Sequence, residues 1–296
     1  MSCDQAADRF ATLTFTRRVA APVATLYAAW TSPAARAVWA PPGPGVVVEF
    51  LEADTRVGGR EVSLCKVAGE PDIRVEAGWL DLVRDERTVG TEVISCDGTR
   101  LSAALVTADF AAEHEASRID VTVQLASLAE DMAAGYRQGF NAGLDNMGGV
   151  AERTILMQRV IKAPVPVVWG AWMNAETLPK WWGPDGFSCR TTRIDLREGG
   201  EWVFDMIGPD GTVYPNHHRY TLVRPEARIE YTLHWGENGP KHADAWASFA
   251  EDGGVTKVTL GMIFASRKEY EDARGFGAVE LGLQTLGKLA RFIGAD

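Results

Sequence analysis

Four of the five histidines fall in the second half of the chain, and histidine is well suited to bind metals or move protons near neutral pH. His217 and His218 are adjacent in a β-rich segment, so their side chains point to opposite faces of a strand. That geometry is poor for joint metal ligation, and no Asp or Glu lies two residues from either one. The sequence therefore predicts no metal site and no cofactor.

His218 shares a strand face with Asn216 and Tyr220, because alternate residues of a strand point the same way. These side chains could orient a carbonyl ligand or transfer a proton. The alternatives are a buried histidine with ordinary hydrogen bonds, or a histidine at the surface. Glu280 follows Val279 on a predicted helix and flanks its apolar stripe, so it either reaches into a cavity or lies at the rim in water.

Sequence patterns of several enzyme classes are absent. No serine stands in Gly-x-Ser-x-Gly, and no Gly-x-Gly-x-x-Gly occurs. Cys3, Cys65, Cys96 and Cys189 are too scattered for a zinc ribbon or a disulfide framework. The sequence therefore offers no evident catalytic constellation.

Large apolar side chains are concentrated in the second half, which holds seven of the ten tryptophans. Trp202, Phe204 and Met206 alternate along one predicted strand and so share a face. One interpretation is ordinary core packing, and the other is an apolar cavity for a hydrophobic ligand. The residues predicted to line that cavity are Trp202, Phe204, Met206, His218, Tyr220, Tyr231 and Trp235 on the strands, with Val279, Glu280 and Leu283 on the closing helix.

The elements that must position these residues occur twice in the chain. Ala21-Pro22-Val23 matches Ala163-Pro164-Val165 at an offset of 142, which also pairs Trp30 with Trp172. Later matches, at offsets of 141 and then 139, are Gly58-Gly59 with Gly199-Gly200, Phe110 with Phe249, and Gly143 with Gly282. Matching order over the whole length predicts a duplicated domain, with residues 1–150 and 151–296 as the two copies.

Each copy is predicted to be α+β: one strand, two short helices, six strands in series and a long helix. Short turns join consecutive strands, which therefore pair antiparallel. The closing helices are expected to end near Met147, where Gly148-Gly149 follows, and near Ile293. Glycines spaced four apart on the first closing helix are interpreted as a surface for close packing on the sheet: Gly135, Gly139 and Gly143.

Three motifs of the second copy are similar to one known family. They are Ala163-Pro164 before a helix with Trp169 and Trp172, the motif Trp181-Trp182-Gly183-Pro184, and the stretch from Glu198 to Gly211. The chain resembles, over nearly its whole length, two tandem activator-of-heat-shock-ATPase homologues of the START-like (SRPBCC, Bet-v-1-like) superfamily. The resemblance implies a helix-grip fold, in which a curved antiparallel sheet wraps a C-terminal helix, often with a cavity between them. It fixes no activity, because relatives bind hydrophobic molecules, catalyse reactions or assist chaperones.

The first copy departs from these motifs. Trp39-Ala40-Pro41-Pro42 replaces the Trp-Trp-Gly-Pro pattern. Glu61, Ser63 and Cys65 stand where the second copy has large apolar residues, which implies either a more polar inner face or a slipped strand register. We therefore expect the larger apolar cavity in the second domain.

The charge and hydrophobicity of the chain exclude several classes of partner. Its 296 residues carry 30 basic and 40 acidic side chains, and a net charge of −10 disfavours nucleic acid. No apolar run reaches about 18 residues, so no membrane span is predicted. The segment from Met1 to Gln5 lacks the pattern of a secretory signal, which predicts a cytoplasmic protein.

These observations favour a protein that binds a small hydrophobic molecule, mainly in the second domain. One alternative is a co-chaperone-like or regulatory module with a protein partner. Another is an enzyme acting on a hydrophobic substrate in the same cavity, for which His218 is the best candidate group. The ligand, the oligomeric state and a working cavity in the first domain are left open by the sequence.

Overall fold

Two structural units make up the chain, one ending at Glu152 and the other beginning at Arg153. The computed structural model describes residues 9–130 and 132–295, so Cys3 and the segment from Met1 to Gln5 lie outside the described residues. Each unit has one seven-stranded antiparallel sheet together with helices. The predicted α+β class and tandem helix-grip arrangement are confirmed.

The first unit follows the predicted order of one strand, two short helices, six strands and a long helix. Its elements are β1 (Phe10–Val19), α1 (Val23–Thr31), α2 (Pro33–Trp39), β2 (Val46–Ala53), β3 (Arg60–Val67), β4 (Ile73–Val83), β5 (Arg87–Cys96), β6 (Thr99–Glu113), β7 (Ala116–Ser127) and α3 (Met132–Ala151). The strands lie in the order β1-β7-β6-β5-β4-β3-β2, so every neighbour after the first pair is a neighbour in sequence.

The second unit repeats this plan and adds one helix. Its elements are β8 (Thr154–Ile161), α4 (Val165–Trp172), α5 (Leu178–Trp181), β9 (Ser188–Ile194), β10 (Glu201–Ile207), β11 (Val213–Arg224), β12 (Arg228–His234), β13 (Lys241–Asp252), β14 (Val255–Phe264), α6 (Arg267–Gly275) and α7 (Ala278–Phe292). The strand order, β8-β14-β13-β12-β11-β10-β9, is that of the first unit.

Matching residues produce matching local structure in the two units. Pro22 and Pro164 precede α1 and α4 with extended backbones, at φ −60° and −67°. Proline fixes φ near these values, and the N–H that it lacks has no partner at the start of a helix. Each sheet also has a register shift at the same place, after Trp79 in β4 and after Tyr220 in β11. Such bulges bend and twist a strand, which helps a sheet curve around a helix.

The first closing helix is longer than expected. α3 runs through Gly148 and Gly149 to Ala151, so its predicted end near Met147 is wrong. Val150 and Ala151 are buried, and burial of their side chains stabilises the last turn despite the two glycines.

The second closing segment is divided into two helices, whereas the sequence predicts one. Ser266 caps α6, because its hydroxyl oxygen accepts a hydrogen bond from the Glu269 N–H. Gly277, with a φ of 87°, then separates α6 from α7. α7 ends at Phe292, beside the predicted end near Ile293. None of the helices in the described residues is both long and apolar enough to cross a membrane.

Candidate functional site

Five of the residues predicted to line a cavity in the second domain are gathered into one buried aromatic cluster. Trp202 and Phe204 are 0% and 1% exposed, and their rings stack with centroids 3.7 Å apart. The His218 ring lies 5.4 Å from Trp202, 5.0 Å from Phe204 and 4.8 Å from Tyr231. Tyr220 lies 5.9 Å from Tyr231. These rings pack against one another, which is the arrangement of a core.

His218 is the member of this cluster that the sequence favours most strongly for chemistry. Burial lowers the pKa of its imidazole to about 3, so the ring is neutral at physiological pH. Trp182 closes the cluster with its ring 5.5 Å from the histidine. Met206 and Val279 are partly buried and pack against this core. A neutral imidazole enclosed by rings is well placed for packing and poorly placed to exchange protons with solvent.

The remaining three predicted residues are not part of the cluster. Trp235 follows β12, is 54% exposed, and stacks on His242 with ring centroids 4.2 Å apart. Glu280 is exposed, and Leu283 is 37% exposed. The buried residues of α7 lie further along the helix and are Thr285, Leu286, Gly287, Leu289 and Ala290. The prediction that Leu283 faces the interior is therefore wrong.

A cavity of about 350 Å³ lies in the first domain, between the inner face of the sheet and α3. Its volume falls in the range of small-molecule sites. The expectation that the larger cavity belongs to the second domain therefore finds no support in the packing of either unit. Aromatic side chains contribute much of the wall: Trp30, Trp39, Phe50, Trp79, Tyr136 and Phe140.

Small side chains on the inner face make room for this cavity. When the two copies are aligned at the offset of 141, Ser63 is equivalent to Phe204, Ala77 to His218 and Gly90 to Tyr231. At the offset of 142, Ala40 is equivalent to Trp182. The strand register supports this alignment, since Glu61 pairs with Ala77 just as Trp202 pairs with His218. Of the two alternatives left by the sequence, a slipped register is therefore wrong, and the first domain has the more polar inner face.

The glycines of α3 widen the cavity. Gly135 and Gly139 line it, and a Cβ atom at either position would meet no atom within 4 Å. Only Gly143 lies near a neighbour, with its Cβ position 3.4 Å from the Trp39 ring. The interpretation of these glycines as a surface for close packing on the sheet is therefore wrong for the first two positions.

A buried ion pair forms one polar part of the cavity wall. The guanidinium of Arg36, on α2, donates to the carboxylate of Glu61, on β3, whose side chain is 2% exposed. Thr55 donates to the other Glu61 oxygen at 3.1 Å. The same guanidinium lies over the rings of Phe50 and Trp79, 5.2 Å and 5.6 Å from their centroids. Ring faces attract cations, so Arg36 is held by both interactions.

A second polar group lies on β5 and α3. The Tyr136 hydroxyl donates to the Glu92 carboxylate at 2.8 Å, and Ser102 donates to the Tyr136 hydroxyl at 3.2 Å. Burial raises the pKa of Glu92, while the bond from Tyr136 and the charge of Arg36 act in the opposite direction. Burial and the neighbouring carboxylate raise the pKa of Tyr136, so this phenol stays protonated.

Two further polar groups lie in the cavity wall, and the sequence points to only one of them, Cys65. The indole N–H of Trp79 is buried without a hydrogen-bond partner, whereas that of Trp30 donates to Thr88 at 3.0 Å. Burial raises the pKa of the Cys65 thiol, which keeps it protonated. Within residues 9–130 and 132–295, no three His, Cys, Asp or Glu side chains form a group that could hold a metal ion.

The fold and its cavity define a class of protein. An antiparallel sheet that closes over a C-terminal helix, twice in one chain, is the helix-grip architecture of START-like proteins. The chain belongs to the family described as "Activator of Hsp90 ATPase homolog 1-like protein", whose family model matches residues 20–152 and 162–293. The resemblance inferred from the motifs is therefore confirmed in both copies. None of the curated proteins matches the sequence.

Several solved structures are similar to part of the chain. A protein from Rhizobium loti is 28% identical with a TM-score of 0.43, and the match covers 47% of this chain and 95% of that one. A protein from Rhizobium leguminosarum is 29% identical with a TM-score of 0.44, covering 49% and 95%. A protein from Nitrosomonas europaea is 25% identical with a TM-score of 0.44, covering 49% and 96%.

Proposed function

We propose that this chain binds a small hydrophobic molecule and that the binding site is the cavity of the first domain. The observation that carries the proposal is the way this cavity is kept open. Gly139 lies inside α3, where glycine lowers stability relative to alanine, and no neighbouring atom requires the missing side chain. Empty apolar volume also lowers stability. A ligand that fills the space would account for both features.

The chemistry of the wall supports the same proposal. Ligand sites are mostly apolar with a few well-placed polar groups. Here the aromatic rings supply apolar surface, and the Arg36–Glu61 pair and the Glu92 carboxylate supply polar groups from three different elements. The second domain, by contrast, fills the equivalent space with its own rings.

A cavity-filling substitution tests the proposal. The probe is N-phenyl-1-naphthylamine, an uncharged dye whose fluorescence increases in apolar surroundings. We expect saturable binding of one dye per chain, and we expect Gly139→Leu to weaken it by about tenfold or more, equivalent to about 1.4 kcal/mol. Gly149→Leu is the matched control, because Gly149 lies on the same helix, is exposed, and has no atom within 4 Å of its Cβ position. This control should bind the dye as the parent does.

The outcome also distinguishes the two domains. Equal dye affinity in Gly139→Leu and the parent, with both folded by circular dichroism, would overturn the assignment to the first domain. Loss of binding on Phe204→Glu in a folded variant, with Gly139→Leu unaffected, would favour the second-domain site, which stays a prediction. No saturable binding by the parent would favour the protein-interaction alternative.

A further inference from the structure

Glu92 is an acid without a cationic partner in the wall of the cavity. Its carboxylate accepts one hydrogen bond, from the Tyr136 hydroxyl at 2.8 Å. Among the described residues, no Lys, Arg or His forms an ion pair with it. The nearest cation by its electrostatic effect is Arg36, and that guanidinium pairs with Glu61. The two charges of that pair cancel, so the cavity holds one acidic group in excess.

Glu92 is half-buried, and a carboxylate withdrawn from water is unfavourable, so proteins rarely keep one without a counterion or a function. Leu233 occupies the equivalent position in the second domain, at the offset of 141, where the space is filled. The same fold therefore needs no acid here. Glu92 occurs in the domain that has the cavity, which connects this acid with the ligand of the cavity.

The surroundings of Glu92 suit a cation that is attached to an apolar body. Tyr136 stacks on Phe140 with centroids 5.9 Å apart, and Phe140 stacks on Phe15 at 5.3 Å. Tyr136 and Phe140 both line the cavity. Aromatic faces attract cations, and an ammonium group donates up to three hydrogen bonds, which a carboxylate accepts.

We propose that the ligand is a hydrophobic amine whose ammonium group pairs with Glu92 while its apolar body lies among the aromatic side chains of the cavity. This inference rests on the proposed function, because it specifies the ligand class of the same site. The groups that face the ammonium are the Glu92 carboxylate from β5 and the Tyr136 hydroxyl from α3. Glu61 lies in the same cross-strand row, since it pairs with Ala77 and Ala77 pairs with Glu92, but its charge and that of Arg36 offset each other.

Three probes of the same shape and different charge test the proposal by calorimetry at pH 7.5. They are 1-naphthylmethylamine, 1-naphthylmethanol and 1-naphthoic acid. We expect the amine to bind the full chain about ten- to one-hundred-fold more tightly than the alcohol, as for a hydrogen bond to a charged group. The carboxylic acid should bind more weakly than the alcohol, because its charge has the sign of Glu92.

The matched variants are Glu92→Gln and Glu76→Gln. Each removes one carboxylate from the first domain, but Glu76 lies on the other face of the sheet and pairs with Arg60 and Arg74. Glu92→Gln should bring the affinity for the amine down to that for the alcohol and leave the alcohol unchanged. Glu76→Gln should change neither. If Glu92→Gln does not fold, Glu92→Leu, which carries the residue of the second domain, replaces it.

Each outcome decides one of the two proposals. Equal binding of amine and alcohol, or an amine preference that survives in Glu92→Gln, would overturn the amine proposal and leave a hydrophobic site in place. Absence of binding by both the amine and the alcohol would overturn the proposed function itself.

Discussion

Beneath the sheet of the second domain lie the stacked rings of Trp202 and Phe204; at the equivalent positions the first domain has Glu61 and Ser63. The backbones do not account for the difference, since the strand order and the bulge position are the same in both. The second domain fills its interior with aromatic side chains, and the first leaves a cavity of about 350 Å³. In this fold, the volume of the inward side chains determines whether a cavity forms.

The comparison also separates features that support stability from features that reduce it. An empty apolar space, glycines inside a helix and a half-buried acid without a counterion each lower stability. The first domain combines all three in one place. Departures from good packing that coincide in this way are typical of functional sites, whereas a filled core is typical of a structural role.

The largest expected difference between the domains comes from truncating equivalent side chains. Phe204→Ala removes a fully buried ring and should lower the free energy of unfolding of the second domain by about 3–5 kcal/mol. Ser63→Ala, at the equivalent position, removes one hydroxyl at a cavity wall and should change that of the first domain by less than about 1 kcal/mol. Hydrogen exchange followed by mass spectrometry measures this, because peptides from β10 and β3 report each domain separately. Similar losses in both domains would contradict the contrast between a filled and an open interior.

The next effect is a response to pH of opposite sign in the two domains. In the second domain, burial lowers the pKa of His218 from 6.5 to about 3. Between these values the unfolded chain binds a proton that the folded domain does not, so stability falls as the pH falls, by up to about 1.4 kcal/mol per pH unit. His218→Leu should remove this contribution in unfolding experiments from pH 7 to pH 4. His242, whose pKa burial lowers to about 4, retains a part of the slope in the variant.

In the first domain, burial raises the pKa of Glu92 above its ordinary value of 4.5. The folded domain then keeps a proton that the unfolded chain has released, so its stability is greatest below pH 4.5 and falls as the pH rises through the raised pKa. Glu92→Gln should abolish that fall. A first domain whose dependence on pH is the same in the parent and in Glu92→Gln would show that the carboxyl is solvated, and would weaken the charge argument for the ligand.

Much of this architecture could be predicted from the sequence, for identifiable reasons. The order of strands and short helices follows from alternating side chains and turn residues, which act locally. The tandem repeat follows from matches such as Trp30 with Trp172, both of which are buried. The sequence does not predict the division of the last segment into α6 and α7, because a single residue, Gly277, separates the two helices.

The position of the cavity could not be predicted by the same means. The alternation of Trp202 and Phe204 predicts the wall of a cavity, but large side chains also fill space, and only their packing shows which they do. The informative signal is the small size of the equivalent residues in the first domain, such as Ala77 and Gly90. A comparison of the two copies would identify Glu92, because its equivalent in the second copy is Leu233.

The smallest expected effect concerns a single methyl group on α3. The equivalent of Gly139 in the second domain is Ala278, at the offset of 139 that also pairs Gly143 with Gly282. Gly139→Ala therefore makes the first domain resemble the second. Because no atom lies within 4 Å of the added Cβ, the higher helix propensity of alanine should stabilise the first domain by about 0.5–1 kcal/mol.

The same methyl group would project into the cavity, so the variant should bind N-phenyl-1-naphthylamine more weakly than the parent even as its domain becomes more stable. Gly282→Ala is the contrasting change, since its Cβ would lie 2.0 Å from the Met157 sulfur and should destabilise the second domain. Hydrogen exchange of α3 and α7 measures both effects, and dye titration measures the first. A gain in stability together with a loss of affinity would identify Gly139 as a residue that serves binding rather than folding. A loss of stability in Gly139→Ala would mean that the backbone of α3 needs glycine at this position. The difference between Gly139 in α3 and Ala278 in α7 would then reflect folding and not binding.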